Sequence, residues 1–167
     1  MTTAFALLPL LLFAACAPRE ASAKPASGAS CALPGAPVTS RPSDRNVDGK
    51  PLALCSSAPM TGYFRDGRCS TGAEDTGVHV VCSAVTDAFL QFSKARGNDL
   101  VTPRGAFAGL KAGDRWCLCA ARWKEAEAAG VAPPVVLEAT HEAAKAIVSS
   151  DSLHAHAARG VSAGSPR

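Results

Sequence analysis

Residues 78–85 read VHVVCSAV, a run rich in β-branched and apolar side chains with no alternation of apolar and polar positions. Such a run predicts a strand buried on both faces, so the chain must supply cover on each side of it. TDAFLQFSKARG follows directly and carries the signals of a helix over residues 87–96. Thr86 is an N-cap, Asp87 suits the positive end of the helix dipole, Phe89 and Phe92 share a face, and Gly97 stops the helix.

A second informative stretch is GDRWCLCAARW, residues 113–123. Here the residues alternate, and a strand over RWCLCA turns Cys117 and Cys119 to one side while Trp116 and Leu118 face the other. On a helix the same pair would diverge by about 200°. Strand geometry therefore predicts a shared thiol face, and it disfavours a bridge between the two. Positions i and i+2 of a strand place their Cα atoms near the limit of about 7 Å and aim the side chains in parallel. A helix over residues 121–129 ends at Gly130, PPVVLEAT at 133–140 reads as a third strand with its prolines at the entry, and Thr140 caps a last helix over 141–148. Residues 51–77, dense in Gly, Pro, Ser, Asp and Thr, read as ordered loop.

The order loop-β-α-β-α-β-α points to an α+β domain, a small mixed β-sheet with about three helices packed on it. The alternative is an α/β fold with a parallel sheet, because each connection is long enough for a crossover.

The N-terminal segment differs sharply in composition. Residues 4–17, AFALLPLLLFAACA, are an uninterrupted apolar run of signal-peptide length, too short to span a bilayer. FAAC resembles a bacterial lipobox and would lipidate Cys16; Ala21-Ser22-Ala23 offers a conventional cleavage site instead. The organisation expected is a leader over 1–16, a flexible Ala/Ser/Pro/Gly linker over 17–45, a globular domain over 46–157 and a disordered tail over 158–167. That makes the chain a cell-envelope lipoprotein held to the membrane only by an N-terminal lipid. A secreted or periplasmic form, or a cytoplasmic one if the start codon lies further downstream, are the alternatives.

Of the net charge of +3, residues 46–158 hold none: 11 Lys and Arg stand against 12 Asp and Glu there. The excess is six Lys and Arg against two acids in leader, linker and tail. No basic face suits a phosphate backbone, so nucleic acid is not expected as a partner.

TGYFRDG, the GAED turn with His79 and Cys82 after it, FSKARGNDL, GDRWCLCAARWKEA and AGVAPPVVLEATHE together resemble the bacterial domain-of-unknown-function family number 2237, over about residues 46–148. The resemblance implies no established activity. Family members often carry two adjacent cysteines where this chain has Arg68-Cys69, and the loop over 102–109 is shorter here.

Three chemistries are open to the core cysteines Cys55, Cys69, Cys82, Cys117 and Cys119. In a binding or accessory module, Cys117 and Cys119 with Cys82 and either Cys69 or His79 would hold zinc in a tetrahedral site. In a thiol-dependent enzyme or redox protein, Cys82 or Cys119 would be the nucleophile, and a thiolate at Cys82 would have His79 or His141 as base. Cys82 stands just before a helix N-cap, where the dipole favours a thiolate. In a purely structural or interaction domain the cysteines are small buried hydrophobes or bridges. If Cys16 is lipidated, six remain, enough for three bridges. Glu74 and Asp75 could bind a cation or polarise the neighbour of a thiol, although acidic turn residues more often cap backbone donors.

Overall fold

The computed structural model describes residues 43–158. The leader with Cys16, most of the linker and all of the tail but residue 158 lie outside these residues. Among the described residues no helix is long and apolar enough to cross a membrane.

Strand β1 (Val81–Ala84) pairs antiparallel with β2 (Arg115–Leu118), with Val81 opposite Leu118 and Cys82 opposite Cys117. Between them runs helix α1 (Asp87–Ala95), and α2 (Ala120–Ala128) follows β2 after a single residue. A short α3 (Ser150–Ala155) lies near the C-terminus. The fold is α+β, and its two strands are antiparallel rather than the parallel alternative.

Helix α1 starts where the sequence places it. Thr86 is the N-cap and its hydroxyl accepts from the Phe89 amide at 3.2 Å, while Gly97 takes φ 82° beyond the last turn. Phe89 and Leu90 are buried by the turn.

Three expectations need correction. Residues 133–140 do not form a strand. Only Val135 pairs, antiparallel to Ser83 and parallel to Ala157, and a 3-10 turn follows at Leu137–Ala139. Pro133 and Pro134 bring no donors to a ladder, and the Thr140 hydroxyl accepts from the Cys82 amide at 3.1 Å and donates to the Val136 carbonyl at 2.9 Å. One side chain thus does what further strand pairing would have done. The last helix begins not as an α-helix over 141–148 but as a 3-10 segment, Glu142–Ala146. Helix α3 follows it, capped by the Ser149 hydroxyl at 3.1 Å from the Ser152 amide, a serine the sequence reading passed over. Finally, β1 is shorter than residues 78–85. Val78 adopts φ 49° and its amide donates to the Asp75 carbonyl, so residues 78–80 turn into the strand rather than extend it.

The strand pair separates two cores. On one face Val81, Trp116 and Leu118 join Phe89, Leu90, Trp123, Val135, Val148 and Leu153. Trp123 is fully buried and its indole donates to the Pro133 carbonyl at 3.0 Å. On the other face Cys82 and Cys117 join Cys55, Cys69, Val136 and Ala139. The amides of Cys82 and Cys117 donate to Thr140 and Thr61 hydroxyls rather than to each other's strand, so the two residues face one another as a non-hydrogen-bonded pair, the closer kind in an antiparallel ladder.

Candidate functional site

Both strand cysteines are bridged, each to a cysteine of the irregular segment 51–77. Cys82 is bonded to Cys55 with Cα atoms 5.8 Å apart, and Cys117 to Cys69 at 5.3 Å. All four are buried. A loop poor in apolar residues cannot hold itself by burial, and the bridges fasten it to the strands instead. Threonine 61 reinforces the fastening, its buried hydroxyl accepting from the Cys117 amide at 2.9 Å.

Cys119 is in neither disulfide. The strand ends at Leu118, and Cys119, with φ −56° and ψ 124°, is the N-cap of α2. The thiol face expected of Cys117 and Cys119 is therefore divided. Cys117 turns to Cys69, and the Cys119 thiol donates to the Gly77 carbonyl with S and O 2.6 Å apart. The four-ligand set of Cys117, Cys119, Cys82 and Cys69 or His79 is not assembled, since Cys69, Cys82 and Cys117 are spent in bridges.

The loop that brings Gly77 to Cys119 also carries an acid-base pair. Asp75 is 3 % exposed, and its Oδ1 lies 2.6 Å from His79 Nδ1. Its Oδ2 accepts from the His79 amide at 2.8 Å and from the Thr71 hydroxyl at 3.0 Å. Burial pushes the Asp75 carboxyl upward, but the hydrogen bonds and charge of His79 and the hydroxyl of Thr71 outweigh it, and the net effect lies below the ordinary carboxylate value. An ionised carboxylate only accepts, so His79 Nδ1 carries the proton of their bond. In the neutral ring Nε2 is then a bare acceptor. It is buried and has no hydrogen-bond partner among the described residues.

The ring of His79 has two close neighbours. Tyr63 stacks on it at 6.0 Å between centroids and 22° between planes, and the Tyr63 hydroxyl donates to the Glu74 carbonyl. At the Cε1 edge of the ring lies Gly77, where an added Cβ would meet Cε1 at 2.4 Å and both ring nitrogens at 3.1 Å. One glycine thus touches both the imidazole and, through its carbonyl, the Cys119 thiol. A carboxylate, an imidazole bonded to it and a thiol at the start of a helix thus lie around one glycine.

Among the other candidates, His141 caps the 3-10 segment at Glu142–Ala146. Its Nδ1 accepts from the Ala143 amide at 3.0 Å, and its Nε2 lies 3.9 Å from Asp44. Cys82, buried and bridged, is no thiolate in this state. Sequence reasoning put His79 and Cys119 together only as candidate zinc ligands and did not join them with the acidic turn into one acid-base set. The available signal was Asp75 and His79 four residues apart across a glycine turn. Tyr63, Gly77 and the membership of Cys55 in the sulfur cluster carried no such signal.

The domain is thus a small α+β fold with a cysteine-rich site clamped by two disulfides. The family model described as an uncharacterised protein conserved in bacteria, domain-of-unknown-function family 2237, matches residues 45–157, and the chain belongs to that family. The match reaches beyond residue 148 to take in α3. No curated protein matches the chain.

Proposed function

We propose that this domain is a thiol-dependent enzyme or redox protein whose nucleophile is Cys119, with His79 as its base and Asp75 as the group that orients the base. The observation that carries this reading is the buried, unpartnered Nε2 of His79, left as the free ring nitrogen by the carboxylate on Nδ1 and set against the same glycine as the Cys119 thiol. A buried polar atom with no partner is rare, and a base awaiting a proton accounts for it. The start of α2 adds a positive backbone potential that favours an anionic sulfur.

In this scheme the thiol proton passes to Nε2, directly or through one water, as Cys119 Sγ bonds to an electrophilic carbon or sulfur of the substrate. The leaving group takes that proton back from His79. The two disulfides have a supporting role, holding the loop of Asp75, Gly77 and His79 against the end of β2. The reading includes an envelope location, with Cys16 as the lipid anchor, and buried disulfides suit an oxidising compartment.

The test is trapping. Iodoacetamide at neutral pH, followed by peptide mass analysis, should label Cys119 before any other cysteine of the oxidised chain. Labelling of Cys119 should slow by about tenfold or more in His79→Gln, a figure set below the roughly hundredfold low end of what a positioned base supplies. Equal rates in both proteins would overturn the assignment.

A further inference from the structure

The sulfur cluster on the far side of the strand pair supports a second, separate site. The Sγ atoms of Cys55, Cys69 and Cys117 all lie within 4.8 Å of one another, and that of Cys82 is bonded to Cys55 at 2.03 Å. Four sulfurs therefore share one buried volume, brought there from four positions: two in the loop over 51–77 and one on each strand. A tetrahedral zinc site with Zn–S bonds of about 2.3 Å has its sulfurs about 3.8 Å apart. Reduction frees each bonded pair to part toward that spacing.

We propose that Cys55, Cys69, Cys82 and Cys117, when reduced, are the four ligands of a zinc ion. This is a set different from the one that strand alternation suggested, because it excludes Cys119 and His79 and includes Cys55. It stands independently of the proposed role of Cys119.

Each disulfide becomes two thiols by taking two electrons and two protons from a dithiol, which becomes a disulfide, or two electrons from a phosphine and two protons from the water whose oxygen the phosphine keeps as its oxide. Zinc then displaces the four protons as the sulfurs ligate. Two equivalents of a small-molecule disulfide, each taking two electrons and leaving as two thiols, reverse both steps, reforming the bridges and expelling the ion, so the bridged and metal-bound forms exclude one another. All four cysteines are at most 3 % exposed in the bridged form. The metal is consequently taken up by a chain that is reduced before or during folding, and the same loop-to-strand fastening that the bridges supply is supplied by the ion.

The experiment uses the full chain with Cys16→Ser and Cys31→Ser. It is unfolded in guanidinium with a phosphine reductant, refolded with zinc, desalted, and its metal measured by native mass spectrometry. About one zinc per chain is expected, retained in Cys119→Ser and lost in Cys55→Ser. Refolding with cobalt instead reports the ligands without relying on a variant, and a tetrahedral tetrathiolate spectrum is expected from the chain itself. No bound zinc in a reduced chain, loss of zinc in Cys119→Ser, or a cobalt spectrum showing two or fewer thiolates would each overturn the proposal.

Discussion

Removing the Cys69–Cys117 bridge tests whether the irregular segment is held by cross-links rather than by its own packing. The bridge closes a loop with a sequence separation of 48 residues. The chain-entropy relation gives a loss of about 14 cal/mol/K for that loop, or about 4 kcal/mol at 25 °C. The neighbouring Cys55–Cys82 bridge hardly shortens the loop, since a detour through it is about as long as the direct path. The double substitution Cys69→Ala with Cys117→Ala should therefore lower the unfolding free energy by about 4 kcal/mol, within the usual range of about 2–5. Equilibrium urea unfolding under non-reducing conditions, with the parent chain beside it, measures this difference. The variant should also lose the His79-dependent part of Cys119 labelling, because the loop of Asp75 and His79 is no longer fastened to β2. A loss below about 1 kcal/mol would refute the reasoning, for the loop would then be ordered by contacts that do not depend on the bridge.

Gly77→Ala should leave the fold intact, since Gly77 is not among the residues at positive φ, but its Cβ would press on the His79 ring and displace it; Cys119 labelling should fall about as far as in His79→Gln, by about tenfold or more. Asp75 has its carboxyl held below the ordinary value of about 3.9, so its contribution to stability is full above that pH and is lost as pH falls below it. Acid unfolding followed by circular dichroism should show the parent chain losing stability below about pH 4 more steeply than Asp75→Asn, which has no such group to protonate. Trp123→Phe strands the buried Pro133 carbonyl that the indole now satisfies, and urea unfolding should show a loss of about 1–3 kcal/mol.

How much of this could be read from the sequence depends on how local the cause is. β1 and α1 were legible because an apolar run on both faces and a Thr86 cap are properties of consecutive residues. The alternation in RWCL likewise placed Trp116 and Leu118 on one face of the sheet and Cys117 on the other. It failed one residue later, at Cys119, because where a strand ends is decided by the helix that follows, and α2 takes Cys119 as its first cap. The third strand failed for a tertiary reason, the Thr140 hydroxyl serving the edge of β1 from 58 residues away. The disulfide partners were not legible at all, because six cysteines allow 15 pairings and only the packed structure selects among them. The Asp75–His79 pair lay in plain sight at a spacing of four, yet its meaning comes from Cys119, 40 residues further along the chain.

The most direct test of the central claim is the rate of Cys119 modification by iodoacetamide, compared at neutral pH in the parent chain, His79→Gln and Asp75→Asn. The account expects the parent to be fastest, His79→Gln to be slower by about tenfold or more, and Asp75→Asn to lie between them, since an imidazole that has lost its orienting carboxylate is still a base. Three indistinguishable rates would contradict it, and would leave Asp75 and His79 as a structural pair beside a buried cysteine.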